Sequence, residues 1–159
     1  MSSVQCVIQR DGDALRLTYT VAAAPGALLL PASALPVRTD GLWQTTCLEL
    51  FVADAHAAYR EFNFAPSGQW AAYGFAARRE GVAPLAMPEP PAIQLVAREG
   101  ETILSVVLPG IGPGPLRLGI TAVIEETDGT KSYWALRHGG DAPDFHDPDC
   151  FVAQLPPAD

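Results

Sequence analysis

The stretch that decides the fold is YREFNFAPSGQWAAYGF, residues 59–75. Apolar side chains recur at alternate positions on both sides of Pro66-Ser67-Gly68, a combination typical of a turn. The preceding stretch TTCLELFVA (45–53) is also strand-like. This pattern predicts antiparallel β-strands that bury one face each.

Similar stretches recur along the whole chain, separated by turn signals such as Asp11-Gly12-Asp13. Turn signals about every 8–12 residues are typical of an antiparallel sandwich or barrel. We therefore predict an all-β protein, an antiparallel β-sandwich of about ten strands. The predicted strands are 4–10, 14–21, 45–53, 59–66, 69–77, 92–99, 102–109, 115–126, 132–136 and 150–155.

Two connecting segments are not predicted as strands. Residues 54–58 are predicted to be a loop or a single turn, although ADAHAAYREF (53–62) also has the alanines and charges of a short helix. Residues 82–92 contain four prolines and are predicted to form a surface connection.

The composition limits the classes of protein. The 159 residues are enough for one domain, predicted to span 1–159. Apolar residues make up 48% and charged residues 18%, which indicates a globular chain, and 15 prolines with 14 glycines disfavour a helical bundle. The net charge of −8 would repel a phosphate backbone, so we expect no nucleic-acid partner.

The cysteines and the apolar stretches indicate the compartment. Cys6, Cys47 and Cys150 are widely spaced and form no CxxC motif, which favours a reducing compartment over a disulfide framework or a zinc site. The N-terminal sequence lacks the pattern of a signal peptide, and no apolar stretch approaches the roughly 20 residues of a membrane span. We expect a cytoplasmic protein without a membrane partner.

Polar residues inside apolar strands are the first candidates for a site. Glu49 shares a strand face with Cys47 and Phe51, and Glu61 shares a face with Asn63. The simplest interpretation is a solvated outer face. The functional interpretation is a concave sheet lined with hydrogen-bonding groups.

Glu49 lies between Leu48 and Leu50, so we expect it to be more than an ordinary surface carboxylate. Burial of an unpaired charge costs several kcal/mol. We therefore expect a partner for Glu49, for example Arg38 or Arg78.

The three tryptophans suit either a core or a sugar-binding surface. Trp70 lies within a strand and is most simply a packing residue, whereas Trp43 lies in a turn-like sequence and Trp134 in a short strand. Exposed tryptophan rings pack against the C–H groups of a sugar while neighbouring polar groups bind its hydroxyls.

The loop 137–149 contains two histidines and four aspartates. These residues could hold a metal, but His138 and His146 do not fit a known metal-ligand spacing, and an Asx-rich structural loop with hydrogen-bonding histidines is the simpler interpretation. We expect no metal. Such a long loop needs internal contacts, so we expect Phe145 to be a buried anchor and Asp144 and His146 to bond to backbone or to each other.

We expect no catalysis. No serine lies in a GxSxG motif, and a nucleophile would need a base and an orienting group in contact with it. Glu49 and Glu61 could form the carboxylate pair of a glycosidase, but the sequence does not fix their separation.

Three stretches, GLWQTTCLELFV (41–52), YREFNFAPSGQWAAYGF (59–75) and SYWALRHGGDAPDFHDPDCF (132–151), resemble the DOMON-like family related to carbohydrate-binding module family 9. The resemblance extends from about residue 36 to residue 155. It implies a β-sandwich with jelly-roll-like topology. In the sugar-binding relatives, two tryptophans clamp the end of a sugar chain, and Glu, Asn, Gln and Arg side chains bond to its hydroxyls.

The resemblance assigns roles to particular residues. Trp43 and Trp134 match the clamp, Glu49 and Asn63 match polar strand positions, and Arg78 follows the next strand. Other relatives bind haem through Met and His. The only methionine here beyond position 1 is in the proline-rich connection, so we expect no haem and no other cofactor.

These observations leave two functions open. The first is a non-catalytic module that binds a carbohydrate or another small polar ligand, with His138 near Trp134 at the mouth of the pocket. The second is a structural or protein-interaction domain in which the aromatic residues hold the sandwich together.

Overall fold

The computed structural model of the protein describes residues 3–159. Within this range the regular structure consists of eleven strands and two 3₁₀ turns, Leu42–Gln44 and Pro148–Cys150. No helix of the described chain has the length and apolarity needed to cross a bilayer. The strands are β1 (Ser3–Asp11), β2 (Ala14–Ala22), β3 (Cys47–Ala53), β4 (Tyr59–Phe64), β5 (Trp70–Phe75), β6 (Ala83–Pro84), β7 (Ala92–Arg98), β8 (Glu101–Leu108), β9 (Leu116–Glu125), β10 (Lys131–Ala135) and β11 (Ala153–Leu155).

The strands form two antiparallel sheets that pack against each other. The smaller sheet has the order β1-β2-β8-β7, and the larger has the order β10-β9-β3-β4-β5-β6 with β11 paired to β9. Alternate residues of both sheets meet in one apolar core. The predicted all-β antiparallel sandwich is therefore confirmed.

The core follows the predicted alternation. Leu48, Leu50 and Val52 of β3 point inward, together with Phe62 and Phe64 of β4. The intervening residues of these strands therefore lie on the outer face of the larger sheet. From the smaller sheet the core receives Leu15, Leu17, Tyr19, Val21, Leu104, Val106 and Leu108.

The outer face of the larger sheet is covered in part by the loop 137–149 and the segment after it. Phe145 and Phe151 pack there against Phe51, Tyr59 and Val123 in a second apolar cluster. The exposed fraction of Phe145 is 9%, which confirms its expected role as a buried anchor. Because of this cover, part of the outer sheet face is removed from water.

The secondary structure of two connecting segments differs from the prediction. The proline-rich connection contains the two-residue strand β6, which adds an eleventh strand at the sheet edge. The predicted strand 150–155 is shorter, because a 3₁₀ turn capped by the Asp147 side chain precedes β11. Residues 54–58 form a turn, as expected.

Gly119 lies where Phe151 approaches the backbone of β9. A methyl group at this position would lie 2.6 Å from Cδ1 of Phe151, which is 3% exposed and has little room to move. We expect Gly119→Ala to lower the free energy of unfolding by about 1–3 kcal/mol, measured by urea denaturation. Gly114→Ala is the matched control, because a methyl group there meets open space. Equal stability of the two variants would contradict this packing.

Candidate functional site

A cavity of about 610 Å³ opens on the outer face of the larger sheet. This volume lies in the range of small-molecule sites. We call it the central cavity. Its lining consists of Trp43, Gln44, Glu49, Glu61, Tyr73, Phe75, Arg79, Val82, Val123, Lys131, Tyr133, Pro143, Phe145 and His146.

Two carboxyl groups lie at the floor of the central cavity because of the strand register. Glu49 of β3 pairs with Asn63 of β4 on one side and with Thr121 of β9 on the other. Glu61 precedes Asn63 by two residues, so it points to the same face and is a diagonal neighbour of Glu49. All four side chains are buried, with exposed fractions of 2% for Glu49 and 6% for Glu61. The structure thus excludes the solvated interpretation of this face.

Each carboxylate has a neutral hydrogen-bond donor. The Thr121 hydroxyl donates to Oε2 of Glu49 at 3.0 Å, and Nδ2 of Asn63 donates to Oε1 of Glu61 at 3.1 Å. These bonds hold both side chains in place and leave further oxygen lone pairs available.

The expected arginine partner of Glu49 is not present, so this prediction is wrong. Arg38 donates to the carbonyl groups of Ala72 and Leu85, and its guanidinium lies 4.6 Å from the Trp70 ring centre. Arg78 binds Asp144 instead. The burial predicted for Glu49 is confirmed, but threonine rather than arginine satisfies it.

Burial changes the protonation of both carboxyl groups. Desolvation, together with the nearby charge of Glu61, raises the pKa of Glu49 to about 8 against the opposing bond from Thr121. Desolvation raises the pKa of Glu61 to about 7, and the positive charge of Arg79 offsets part of this effect. Near neutral pH the floor of the cavity therefore contains both protonated and ionised carboxyl groups, which can donate as well as accept hydrogen bonds.

A hydrogen-bonded chain beside Glu61 joins the sheet to the loop 137–149. The backbone N–H of Arg79 donates to the Tyr59 hydroxyl at 2.9 Å, and this hydroxyl lies 2.8 Å from Nδ1 of His146. Nε2 of His146 lies 3.8 Å from Oε2 of Glu61. Burial and the charge of Arg79 lower the pKa of His146 to about 4, so the imidazole is neutral at pH 7.

Asp144 fixes the loop 137–149 to the end of β5. Its two oxygens accept hydrogen bonds from the guanidinium groups of Arg78 and Arg79. Burial by itself would raise the pKa of Asp144, but these hydrogen bonds lower it to about 2. The expected local bond also exists, since the backbone N–H of His146 donates to Asp144 at 3.1 Å.

Aromatic side chains form the walls and the rim of the central cavity. Trp43, on the 3₁₀ turn before β3, is 53% exposed, and Tyr133 of β10 is 46% exposed. Tyr73 of β5 is held by a hydrogen bond of 2.6 Å from its hydroxyl to Asp40. Lys131 lies at the rim, where its ammonium donates to the Gln44 carbonyl at 2.6 Å.

The structure brings together some of the residues predicted for the site and separates others. Trp43 and Glu49 line the central cavity. Asn63 does not line it, but its side chain donates a hydrogen bond to Glu61, which does. Trp134 lies elsewhere: it packs against the inner core. Its indole N–H donates to Ser132.

Arg78 and His138 do not line the central cavity either. Arg78 is half-exposed and forms ion pairs with Asp144 and Asp147. His138 is exposed, and its ring is stacked on Phe145 with 6.2 Å between ring centres. His138 therefore contacts a residue of the cavity wall, Phe145, but does not line the cavity and does not lie beside Trp134 at its mouth.

Sequence reasoning missed several residues of the site. Tyr73 and Tyr133 could have been found from alternation, because their neighbours Ala72 and Trp134 point to the core and they therefore point to the outer face. Thr121 required the pairing of β9 with β3, which is distant in sequence. Arg79 has a backbone φ of 56°, which is uncommon for a residue other than glycine and could not be predicted from the local sequence.

The aspartates of the loop 137–149 stabilise turns within the loop. The Asp147 carboxylate accepts the backbone N–H of Asp149 at 3.0 Å. In residues 3–159, no group of three or more His, Cys, Asp or Glu side chains is arranged to hold a metal ion.

The carboxyl groups of the floor predict an unusual pH dependence of stability. The folded-state pKa of Glu49, about 8, lies above its ordinary value of 4.5. The folded protein thus retains a proton that the unfolded chain loses, and stability falls as the pH rises between these values. We expect the free energy of unfolding to decrease by about 2 kcal/mol between pH 6.5 and 8, at about 1.36 kcal/mol per pH unit and proton. Urea denaturation at several pH values measures this slope.

The window above pH 6.5 avoids the opposite effect of His146, whose lowered pKa makes stability rise with pH between about 4 and 6.5. Glu49→Gln should remove the larger part of the slope, and the remainder should come from Glu61, whose pKa of about 7 is also raised. Glu99→Gln, in the exposed turn between β7 and β8, should retain the full slope. A slope of undiminished size in the Glu49→Gln variant would show that the carboxyl of Glu49 is ordinary.

Comparison with known proteins relates the fold to one solved structure. No family model matches the sequence, and no curated protein is similar to it at a significant level. A crystal structure from Bacteroides uniformis ATCC 8492, described as a "putative carbohydrate-binding protein", superposes with a TM-score of 0.68 at 18% sequence identity. The match covers 94% of this chain and 76% of that chain. The two proteins therefore share the β-sandwich fold.

Proposed function

We propose that this chain is a non-catalytic binding domain for a carbohydrate or sugar-like ligand, of the DOMON-like type related to carbohydrate-binding module family 9. The observation that carries the proposal is the central cavity, in which buried polar groups lie below exposed aromatic rings. Glu49 and Glu61 supply hydrogen-bond donors and acceptors for hydroxyls, and Trp43 and Tyr133 supply faces for the C–H groups of a sugar ring. The shared fold with a protein described as carbohydrate-binding supports the same function.

The protonation of the two carboxyl groups favours binding over catalysis. Glycoside hydrolysis uses one carboxyl that is protonated and one that is ionised, in environments that separate their pKa values. Here burial raises the pKa of both groups, to about 8 and about 7, so neither environment favours a permanently ionised base or nucleophile. Both groups are suited to hydrogen bonding with neutral hydroxyls.

Tryptophan fluorescence tests this function. We expect saturable quenching on titration with at least one member of a panel of mono- and oligosaccharides. The quenching should persist in the Trp134→Phe variant, whose ring packs on the inner core, and should disappear in the Trp43→Phe variant. No change in emission and no thermal stabilisation with any sugar would favour a structural or protein-interaction domain instead.

A further inference from the structure

The two carboxyl groups of the central cavity are without a cationic partner. In the described part of the chain, neither Glu49 nor Glu61 forms an ion pair with a lysine or an arginine. Glu61 approaches His146 at 3.8 Å, but this imidazole is neutral at pH 7. A negative charge on the floor is therefore not paired directly with any lysine or arginine of the described chain, in surroundings where water screens it poorly, and Arg79 acts on Glu61 only from a distance.

The two cations in the cavity lining are engaged elsewhere. The guanidinium of Arg79 donates two hydrogen bonds to Asp144, at 3.2 and 2.9 Å. The ammonium of Lys131 lies at the exposed rim and donates to the Gln44 carbonyl. Other ionisable groups near the floor are Cys47, Tyr59 and Tyr73, and burial raises the pKa of each, which keeps them neutral.

The walls of the cavity also favour a positive charge. Trp43, Tyr73, Phe75, Tyr133 and Phe145 present aromatic rings around the space above the carboxyl groups. The faces of such rings attract ammonium groups. The net charge of −8 attracts cationic ligands over a longer distance.

We propose that the central cavity recognises an amino sugar, with its protonated amine bound between Glu49 and Glu61 and its ring packed against the aromatic walls. This inference rests on the proposed function and narrows it to one ligand class. The ammonium group would supply the missing counter-charge and donate to the carboxylate oxygens that Thr121 and Asn63 leave free.

Binding of a cation at this place has a measurable consequence. An ammonium group favours the ionised form of the carboxyl groups beside it, so protons are released when the ligand binds near neutral pH. A neutral sugar held by hydrogen bonds causes no such release. Calorimetric titrations in two buffers with different ionisation enthalpies measure the number of protons released.

The experiment compares glucosamine with glucose and N-acetylglucosamine at neutral pH, by isothermal titration calorimetry on the full chain. We expect glucosamine to bind at least about tenfold more tightly than either neutral sugar, with proton release. Glu61→Gln and Glu49→Gln should each reduce this preference, and the exposed Glu99→Gln should leave it unchanged. Circular dichroism melts test whether each variant is folded. The comparison of the three sugars on the unaltered protein does not depend on the variants.

The outcomes separate the two proposals. If glucose or N-acetylglucosamine binds as tightly as glucosamine, the cavity is a sugar site but the ammonium inference is wrong. A second outcome is that glucosamine binds without proton release and that both Gln variants keep the preference of the unaltered protein for glucosamine over the neutral sugars. In that case the ammonium does not lie between the two carboxyl groups. If none of these sugars, nor any longer oligosaccharide of the fluorescence panel, binds, both proposals are wrong.

Discussion

Replacing Phe145 by alanine is expected to lower the free energy of unfolding by about 3 kcal/mol, as is usual for a truncated buried aromatic residue. Phe145 is 9% exposed and packs with Phe51, Val123 and Phe151 on the outer face of the larger sheet. It also lines the central cavity, so its loss removes part of the wall and should weaken ligand binding. Urea denaturation measures the first effect and calorimetry the second.

His138→Ala is the control for this loop. His138 is exposed and its ring is stacked on Phe145 with 6.2 Å between ring centres, so we expect a change in stability within about 0.5 kcal/mol. Phe145→Leu should recover much of the lost stability by refilling the space. If Phe145→Ala is as stable as the unaltered protein, the loop 137–149 does not cover the outer face of the larger sheet as described.

Replacing Trp43 by alanine is expected to weaken ligand binding by about thirtyfold while leaving the fold unaffected. Trp43 is 53% exposed, so few of its packing contacts contribute to stability, and we expect a change within about 0.5 kcal/mol. Truncation of an aromatic residue that packs directly on a ligand costs about 2 kcal/mol, which corresponds to this loss of affinity. Calorimetry and a thermal melt on the same sample measure both quantities.

Trp134→Phe is the matched control for Trp43. The Trp134 side chain packs on the inner core and not on the cavity, so the affinity should not change, although the bond to Ser132 is lost. A loss of affinity in the Trp134→Phe variant, with an unchanged affinity in the Trp43→Ala variant, would contradict our assignment of the site.

The alternation of side chains was enough to predict the sandwich and the faces of its strands. Phe62 and Phe64 fill the core, so Glu61 and Asn63 point outward, as the sequence indicates. Alternation alone does not show whether an outward face is open to water. Here Phe145 and its neighbours cover the outer face of the larger sheet because the loop 137–149 folds back over it, and the local sequence does not predict this path of the chain.

The errors at the site have the same origin. The pairing of β10 with β9 places Trp134 opposite Ala122, a core residue, and Tyr133 opposite Val123, which lines the cavity. A sequence pattern marks both positions as strand but does not fix which face is inward. The partner of Glu49 was predicted from charge, yet its neighbour on β9 is Thr121, because register and not charge decides which side chains meet.

A crystal structure of the chain in complex with the tightest-binding sugar of the panel tests the central claim most directly. We predict a single sugar ring in the central cavity, packed on Trp43 and hydrogen-bonded to the carboxyl groups of Glu49 and Glu61. Sugar density bound at another surface, with the central cavity empty, would contradict the account.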